Sequence, residues 1–424
     1  MTAKELKKAI EDKALLKYSY LYPDVTAQAK RFTRAIDSFA KIYGEDREIS
    51  VFSVPGRSEI SGNHTDHNGG CVLAGSIDRD IIAVASKNGD GVVRIQSEGY
   101  PADAVSISDA ENPENFKKYT SAALIGGMIR GFMNSGNEVG GYDAYFTSDV
   151  LKGSGLSSSA AYEVMIGNIL NHLYNDGSIK NEDIAILAQY AENVYFGKPC
   201  GLMDQVACAV GGFVYIDFGN PEKPLIEPVK FSLADAGYTL CIVNTRGNHA
   251  DLNEDYAAVP GEMKTVAKLL GRDVLRGLTE EEIIKNISNI RRVAGDRAVL
   301  RSLHFLRENE RVGVIFKALR DSDMDKFLET VAESGRSSFE YLQNLYSPKN
   351  PREQGLSVAL ALSEGYLKGK GAVSRVHGGG FAGTVQTFLK TEDANGYVEY
   401  MNGIFGDGAC EPFNVRRDGA IKLF

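Results

Sequence analysis

The chain has 424 residues, 43% of them apolar and 24% charged, proportions of a soluble globular protein long enough for two domains. No apolar run approaches the roughly 18–20 residues of a membrane span, and the charged, amphipathic opening Met1–Lys17 lacks the apolar core of a secretory signal, so a cytoplasmic location is expected. The formal net charge of −9 comes without a basic stripe, since Arg291–Arg292 and Arg416–Arg417 are isolated pairs; this argues against nucleic acid and membrane as partners and for a small neutral substrate.

Apolar, β-branched runs predict strands at Ile49–Val54, Ile81–Ala85, Val92–Ile95 and Val139–Phe146. A helix follows from about Ser157 to Tyr174, with Ala161, Val164, Met165, Ile169 and Leu173 on one face, and a second runs from Glu182 to about Phe196. The Gly- and Pro-rich stretch Gly219–Pro228 follows Gly212–Phe218 and is the expected domain boundary, giving domains 1–222 and 223–424. Beyond it come a strand at Tyr238–Val243 and a long helical region from about Leu252 to Leu367. Strands near Ala372–Val376 and Thr384–Leu389 close the pattern. Mixed order without regular βαβ units predicts an α+β fold in two halves. Five scattered cysteines without a Cys-x-x-Cys pair predict buried, reduced thiols rather than a disulfide framework or a zinc site.

Three segments carry chemistry. The run Ser154-Gly155-Leu156-Ser157-Ser158-Ser159-Ala160-Ala161 opens the first helix. Glycines permit close backbone approach, and hydroxyls beside the free amides and positive end of a helix suit phosphates; a plain N-cap is the alternative. It is not a Walker A loop, because no Gly-Lys-Ser/Thr follows. The second segment, Arg57 to Gly70, is dense in polar groups, with Asn63, His64, Asp66 and Asn68 able to converge on a sugar; a polar turn, or a metal on His64, Asp66 and His67, are the other readings. In the third, Asp204 is the acidic residue of an otherwise apolar stretch, Gly201–Val210; it either caps a helix or is catalytic. A weaker signal is the late glycine loop Gly378-Gly379-Gly380-Phe381, a tight connection or a place of close backbone approach.

The order of these motifs resembles the superfamily of galacto-, homoserine, mevalonate and phosphomevalonate kinases, over about residues 35 to 420. Within it, Pro55-Gly56-Arg57 through His64-Thr65-Asp66-His67-Asn68-Gly69-Gly70 is similar to the galactokinase signature G-R-V-N-L-I-G-E-H-T-D-Y-N-G-G, and Met203-Asp204-Gln205 to that family's M-D-Q segment. The resemblance implies a two-domain α+β small-molecule kinase with its active site in the interdomain cleft. It implies Asp204 as the base facing the anomeric hydroxyl, with Arg57 beside it and the transferring phosphoryl group. Asn63, His64, Asp66 and Tyr256 would bind the sugar. Gly153, Ser154, Gly155, Leu156, Ser157, Ser158, Ser159 and Ala160 would bind ATP phosphates, with Phe116 on the adenine side in place of the family's frequent tryptophan. Ser158 or Ser159 and Glu192 would be Mg²⁺ ligands.

The chain departs from the family at Asn63 (glutamate in the signature), at His67 (tyrosine), at Leu151 (proline) and after Tyr256, where Ala-Ala-Val-Pro follows. These departures bear on the sugar more than on the reaction. The implied activity is ATP-dependent phosphorylation of a sugar at its anomeric hydroxyl, with galactose foremost. The alternatives are N-acetylgalactosamine, arabinose or a non-catalytic sugar and ATP sensor. A monomer is expected.

Overall fold

The computed structural model describes residues 1–22, 24–150, 155–221, 223–247 and 252–424. Two compact units emerge. One is Met1–Arg57, Ser76–Gly212 and Arg416–Phe424; the other is Ser58–Gly75 and Phe213–Val415. The expected division at 222/223 lies just past one of these crossovers, but a linear boundary misses the others. The physical reason is strand length. Ser50–Ser61 and Cys71–Lys87 are single continuous strands whose residues are shared between the units, so no Gly/Pro linker marks the passage. Gly219–Pro228 is not wholly a loop either, because Leu225–Val229 is a strand paired antiparallel with Phe213–Asp217.

In the first unit, Cys71–Lys87 pairs through Ile81–Lys87 with Tyr142–Ser148. That strand pairs in parallel with Val92–Ser97, which pairs in turn with Asp103–Ser106. The tail returns as Ile421–Lys422 beside Phe52 and Ser53. The helix Val25–Tyr43 is started by the Asp24 carboxylate, which accepts from the Ala27 amide at 2.9 Å. Its Phe32, Ile36 and Phe39 stripe is fully buried in a core shared with Val51, Ile82 and Val84. Beneath this lies one buried carboxylate, Asp80. It accepts from Arg31 at 2.6 Å, Tyr22 at 2.7 Å and Arg416 at 3.1 Å. Ser53 donates to it as well, and these four donors make that burial tolerable and fasten the tail to the unit.

The first predicted helix runs Ser158–Tyr174. The second, expected as one helix to Phe196, is α-helical only over Asn181–Tyr190 and then widens into a π turn, Ala191–Phe196, ended by Gly197 in the left-handed region. The strand expected from Val139 begins at Tyr142, after two glycines.

The second unit carries an antiparallel four-stranded sheet in which Tyr238–Asn244 and Thr384–Lys390 are central, with Cys410–Phe413 and Val373–His377 at the edges. The long helical region resolves into separate helices, chiefly Asn253–Leu269, Asp296–Arg320, Met324–Ser337 and Gly355–Leu367. All five cysteines are free, and Cys200 alone among them is half-buried. Among the described residues no helix is long and apolar enough to cross a membrane.

Candidate active site

In the first unit the charged centre is built on three elements. Arg57 stands on the first strand. Its Nε donates to Asp204 Oδ1 and its Nη2 to Oδ2, each at 2.8 Å, the two-pronged geometry that suits a guanidinium to a carboxylate. Arg57 Nη1 donates to the Gly155 carbonyl, and the Arg57 amide donates to the Leu156 carbonyl at 3.1 Å. The phosphate-loop motif is thereby fixed to the strand. Gly56 makes this approach possible, since a Cβ there would lie 2.7 Å from the Leu156 oxygen.

Ser157 occupies the N-cap position of the Ser158–Tyr174 helix with φ 57°, yet it makes no capping hydrogen bond. Its hydroxyl donates instead to Asp204 Oδ2. Asp204 likewise caps nothing, because Leu202 holds the N-cap position of the Met203–Val210 helix. The choice between cap and chemistry left open by sequence therefore falls against the cap for both residues. Burial works to raise the Asp204 carboxyl, but Arg57 and Ser157 outweigh it and hold the group below the ordinary carboxylate range. About a third of the side chain, 33%, remains exposed.

Close to it lies a second acidic group that sequence reading named only in part. Glu192, in the π turn, is 3% exposed. Its carboxylate receives the Lys198 ammonium at 3.2 Å and the Gln205 amide at 2.8 Å. The same Gln205 nitrogen reaches Glu163 at 3.2 Å. Glu163 is fully buried, with one oxygen unpartnered among the described residues; burial and then the Glu192 charge push its carboxyl well up. The available signal for Glu163 was the one that marked Asp204: an acid inside an apolar run. Ser158 and Ser159 are half-buried in the first turn of the helix, with Ala160 buried behind them. Phe116 is half-buried, 5.7 Å from the Tyr195 ring. Gly153 and Ser154 lie outside the described residues.

The second unit holds the polar signature, and here three of the predicted sugar-binding side chains, Asn63, His64 and Tyr256, face the glycine loop. Asn63 Nδ2 donates to Glu59 Oε1 at 2.8 Å and to the Gly378 carbonyl at 2.7 Å, while its Oδ1 accepts from Asn344 at 2.6 Å. The residue is 0% exposed. Both N–H groups and the oxygen are engaged, so direct sugar binding by Asn63 is not what this arrangement provides. His64, at φ 59°, places Nε2 2.8 Å from the Gly379 carbonyl. Tyr256 donates to the Gly380 carbonyl at 2.8 Å and packs edge-on to Phe381. Each of the three glycine carbonyls is thus held by a side chain of the predicted set. Gly380 has φ 80°, and a Cβ there would lie 2.1 Å from the Asn344 oxygen, so no other residue fits.

The signature is also braced from behind. His304 contacts the Asn63 carbonyl at 3.0 Å and Ser337 at 2.8 Å, and burial lowers its pKa to about 4, which leaves a neutral ring. Glu308 accepts from Ser61 and from the Gly62 amide, both at 3.0 Å. Asp66 is half-buried in the short turn Asp66–Asn68. His67 is driven down to about pKa 3 by burial and by His64.

Residues 123–212 match the model of the GHMP kinases N terminal domain, and residues 37–87 match the galactokinase galactose-binding signature. A galactokinase of Streptomyces coelicolor is 31% identical over 375 residues, 87% of this chain and 92% of that protein. A galactokinase of Clostridium tetani is 31% identical over 350 residues, 81% of this chain and 85% of its own. In fold, the chain is similar to the crystal structure of Lactococcus lactis galactokinase complexed with galactose, with TM-score 0.76, 23% identity, and 91% and 98% of the two chains covered. A mevalonate kinase structure superposes with TM-score 0.60 at 14% identity, covering 87% of this chain and 99% of its own. With relatives this similar along nearly their whole length, and with the Arg57–Asp204 pair and both motif loops in place, the chain belongs to the galactokinase family.

Proposed function

We infer that this protein transfers the γ-phosphoryl group of ATP to the anomeric hydroxyl of galactose, giving galactose 1-phosphate and ADP. The observation that carries this reading is the Arg57–Asp204–Ser157 constellation at the start of the Ser158–Tyr174 helix. Phosphoryl transfer asks for positioning and charge neutralisation more than for covalent chemistry. Asp204 accepts a hydrogen bond from the anomeric hydroxyl and so aims its oxygen. Because its carboxyl lies below the usual range, it is a weak base. It takes the proton as the new O–P bond forms and the bond to the β-phosphate oxygen breaks, not before. Arg57 keeps Asp204 ionised and offsets charge on the phosphoryl group. The amides and hydroxyls from Gly155 to Ala160, with Gly153 and Ser154 before them, cradle the phosphates; Phe116 flanks the adenine.

The residues present fit a divalent ion. Glu192 and the Ser158 or Ser159 hydroxyl are hard oxygen donors of the kind Mg²⁺ prefers, and Glu192 already attracts the Lys198 ammonium. When bound, Mg²⁺ neutralises the β- and γ-phosphates. His64, Asp66 and Tyr256 are assigned to sugar contact, His64 through its Nδ1 and Tyr256 through the acceptor side of its hydroxyl, since His64 Nε2 and the Tyr256 proton serve the glycine loop.

The test is ADP release under Mg·ATP with galactose, N-acetylgalactosamine, glucose, arabinose and mannose. Turnover on galactose well above the others is expected; turnover confined to another sugar, or to none, would overturn the assignment.

A further inference from the structure

Within the signature, Glu59 is paired with Asn63. The galactokinase signature has asparagine where this chain has Glu59, and glutamate where it has Asn63. The two side chains touch, at 2.8 Å. Carboxylate and amide have therefore exchanged places within one hydrogen-bonded pair.

The exchange changes which member can meet a ligand. Asn63 is sealed at 0% exposure, and both acceptors around its nitrogen, Glu59 Oε1 and the Gly378 carbonyl, require an N–H donor. Its amide orientation is thus fixed by chemistry. Glu59 is 7% exposed. One of its oxygens accepts from Asn63. The other has no hydrogen-bond partner among the described residues and is not among the sealed polar atoms. Arg375, the nearby counter-charge, directs Nη1 to the Ile60 carbonyl at 2.8 Å instead. A largely buried carboxylate with one oxygen still reachable can accept a further hydrogen bond from a ligand, and a sugar hydroxyl is a neutral donor of the right size.

We propose that Glu59, not Asn63, is the signature residue that receives a hydroxyl of the sugar, and that Asn63 is a positioning residue holding Glu59 against the Gly378 carbonyl. This rests on the sugar-kinase reading above. It makes Glu59 a determinant of which hydroxyl pattern binds.

The experiment measures calorimetric Kd values of the full-length wild type and of Glu59→Gln for galactose, for each monodeoxygalactose, and for ATP. Glutamine keeps an oxygen for Asn63 and replaces the open oxygen with a donor. Loss of a hydrogen bond to a charged acceptor predicts galactose binding about 10–100-fold weaker in Glu59→Gln, with ATP binding unchanged. One monodeoxy analogue should bind both proteins equally, identifying the hydroxyl. Equal galactose affinity in the two proteins would overturn the proposal while leaving the kinase reading intact. A wild type that binds and turns over no sugar would overturn both. If Glu59→Gln shows no cooperative melting transition, the wild type alone decides. One analogue bound about 10-fold or more weakly agrees with a charged acceptor, and uniformly mild losses across all analogues contradict it.

Discussion

The Arg57–Asp204 centre and the Asn63–His64–Tyr256 cluster use the same kinds of polar side chain in opposite ways. In the first, ionised groups hold one another, and a third of Asp204 remains open. In the second, side chains give their hydrogen bonds to the backbone carbonyls of Gly378, Gly379 and Gly380. One region keeps a paired charge partly open; the other fixes the shape of a loop. Substitutions in the first should therefore act on turnover, and those in the second on folding and sugar affinity.

The largest separation is expected for Asp204→Asn. It keeps the shape but loses the acceptor charge, so turnover should fall about 10²–10⁴-fold, and the melting temperature should also drop because the largely buried Arg57 loses its carboxylate, as followed by ADP release and calorimetry. The pH profile of kcat/KM gives the sign. Asp204 is depressed, so the active ionised form exists above its folded pKa, and activity is lost only as pH falls through a limb below the ordinary carboxylate range. A limb at or above that range would blur the contrast.

Gly380→Ala should act oppositely. A Cβ placed 2.1 Å from the Asn344 oxygen, at φ 80°, should cost about 1–3 kcal/mol of stability, visible as a lower urea midpoint. Asn63→Asp sets an acceptor against two acceptors, Glu59 and the Gly378 carbonyl, and a loss of about 1–3 kcal/mol is expected by the same measurement. Glu163→Gln should act through pH. The Glu163 carboxyl is pushed up in the folded chain, so the folded state keeps a proton that the unfolded chain releases, and stability falls as pH rises. The variant lacks that slope. Its advantage over wild type should widen from pH 5 to 8 by at most about 1.4 kcal/mol per pH unit, measured by denaturant titration.

Much of this contrast follows from where information lies in the chain. The Ser158–Tyr174 helix and the strands Val92–Ser97 and Tyr238–Asn244 are legible because their periodicity is local. Asp204 stands out as an acid in an apolar run, and Arg57 follows Pro55-Gly56. The actual partners of Asn63 were not legible, because Gly378 and Asn344 lie 315 and 281 residues away, and neither an amide nor a glycine announces a long-range hydrogen bond. The sharing of two strands between the compact units was hidden for a related reason: strand pattern continues unbroken through the crossover. The π turn at Glu192 depends on tertiary packing and leaves no periodic trace.

The most direct test of the account is the proton-coupled phosphorus NMR spectrum of the product formed from Mg·ATP and galactose. Transfer to the oxygen that Asp204 orients predicts a phosphoester signal split by the single anomeric proton, which accumulates about 10²–10⁴-fold more slowly when Asp204→Asn replaces the wild type. A phosphate coupled to the two protons of the sugar's exocyclic carbon, or an undiminished anomeric signal from the variant, would contradict it.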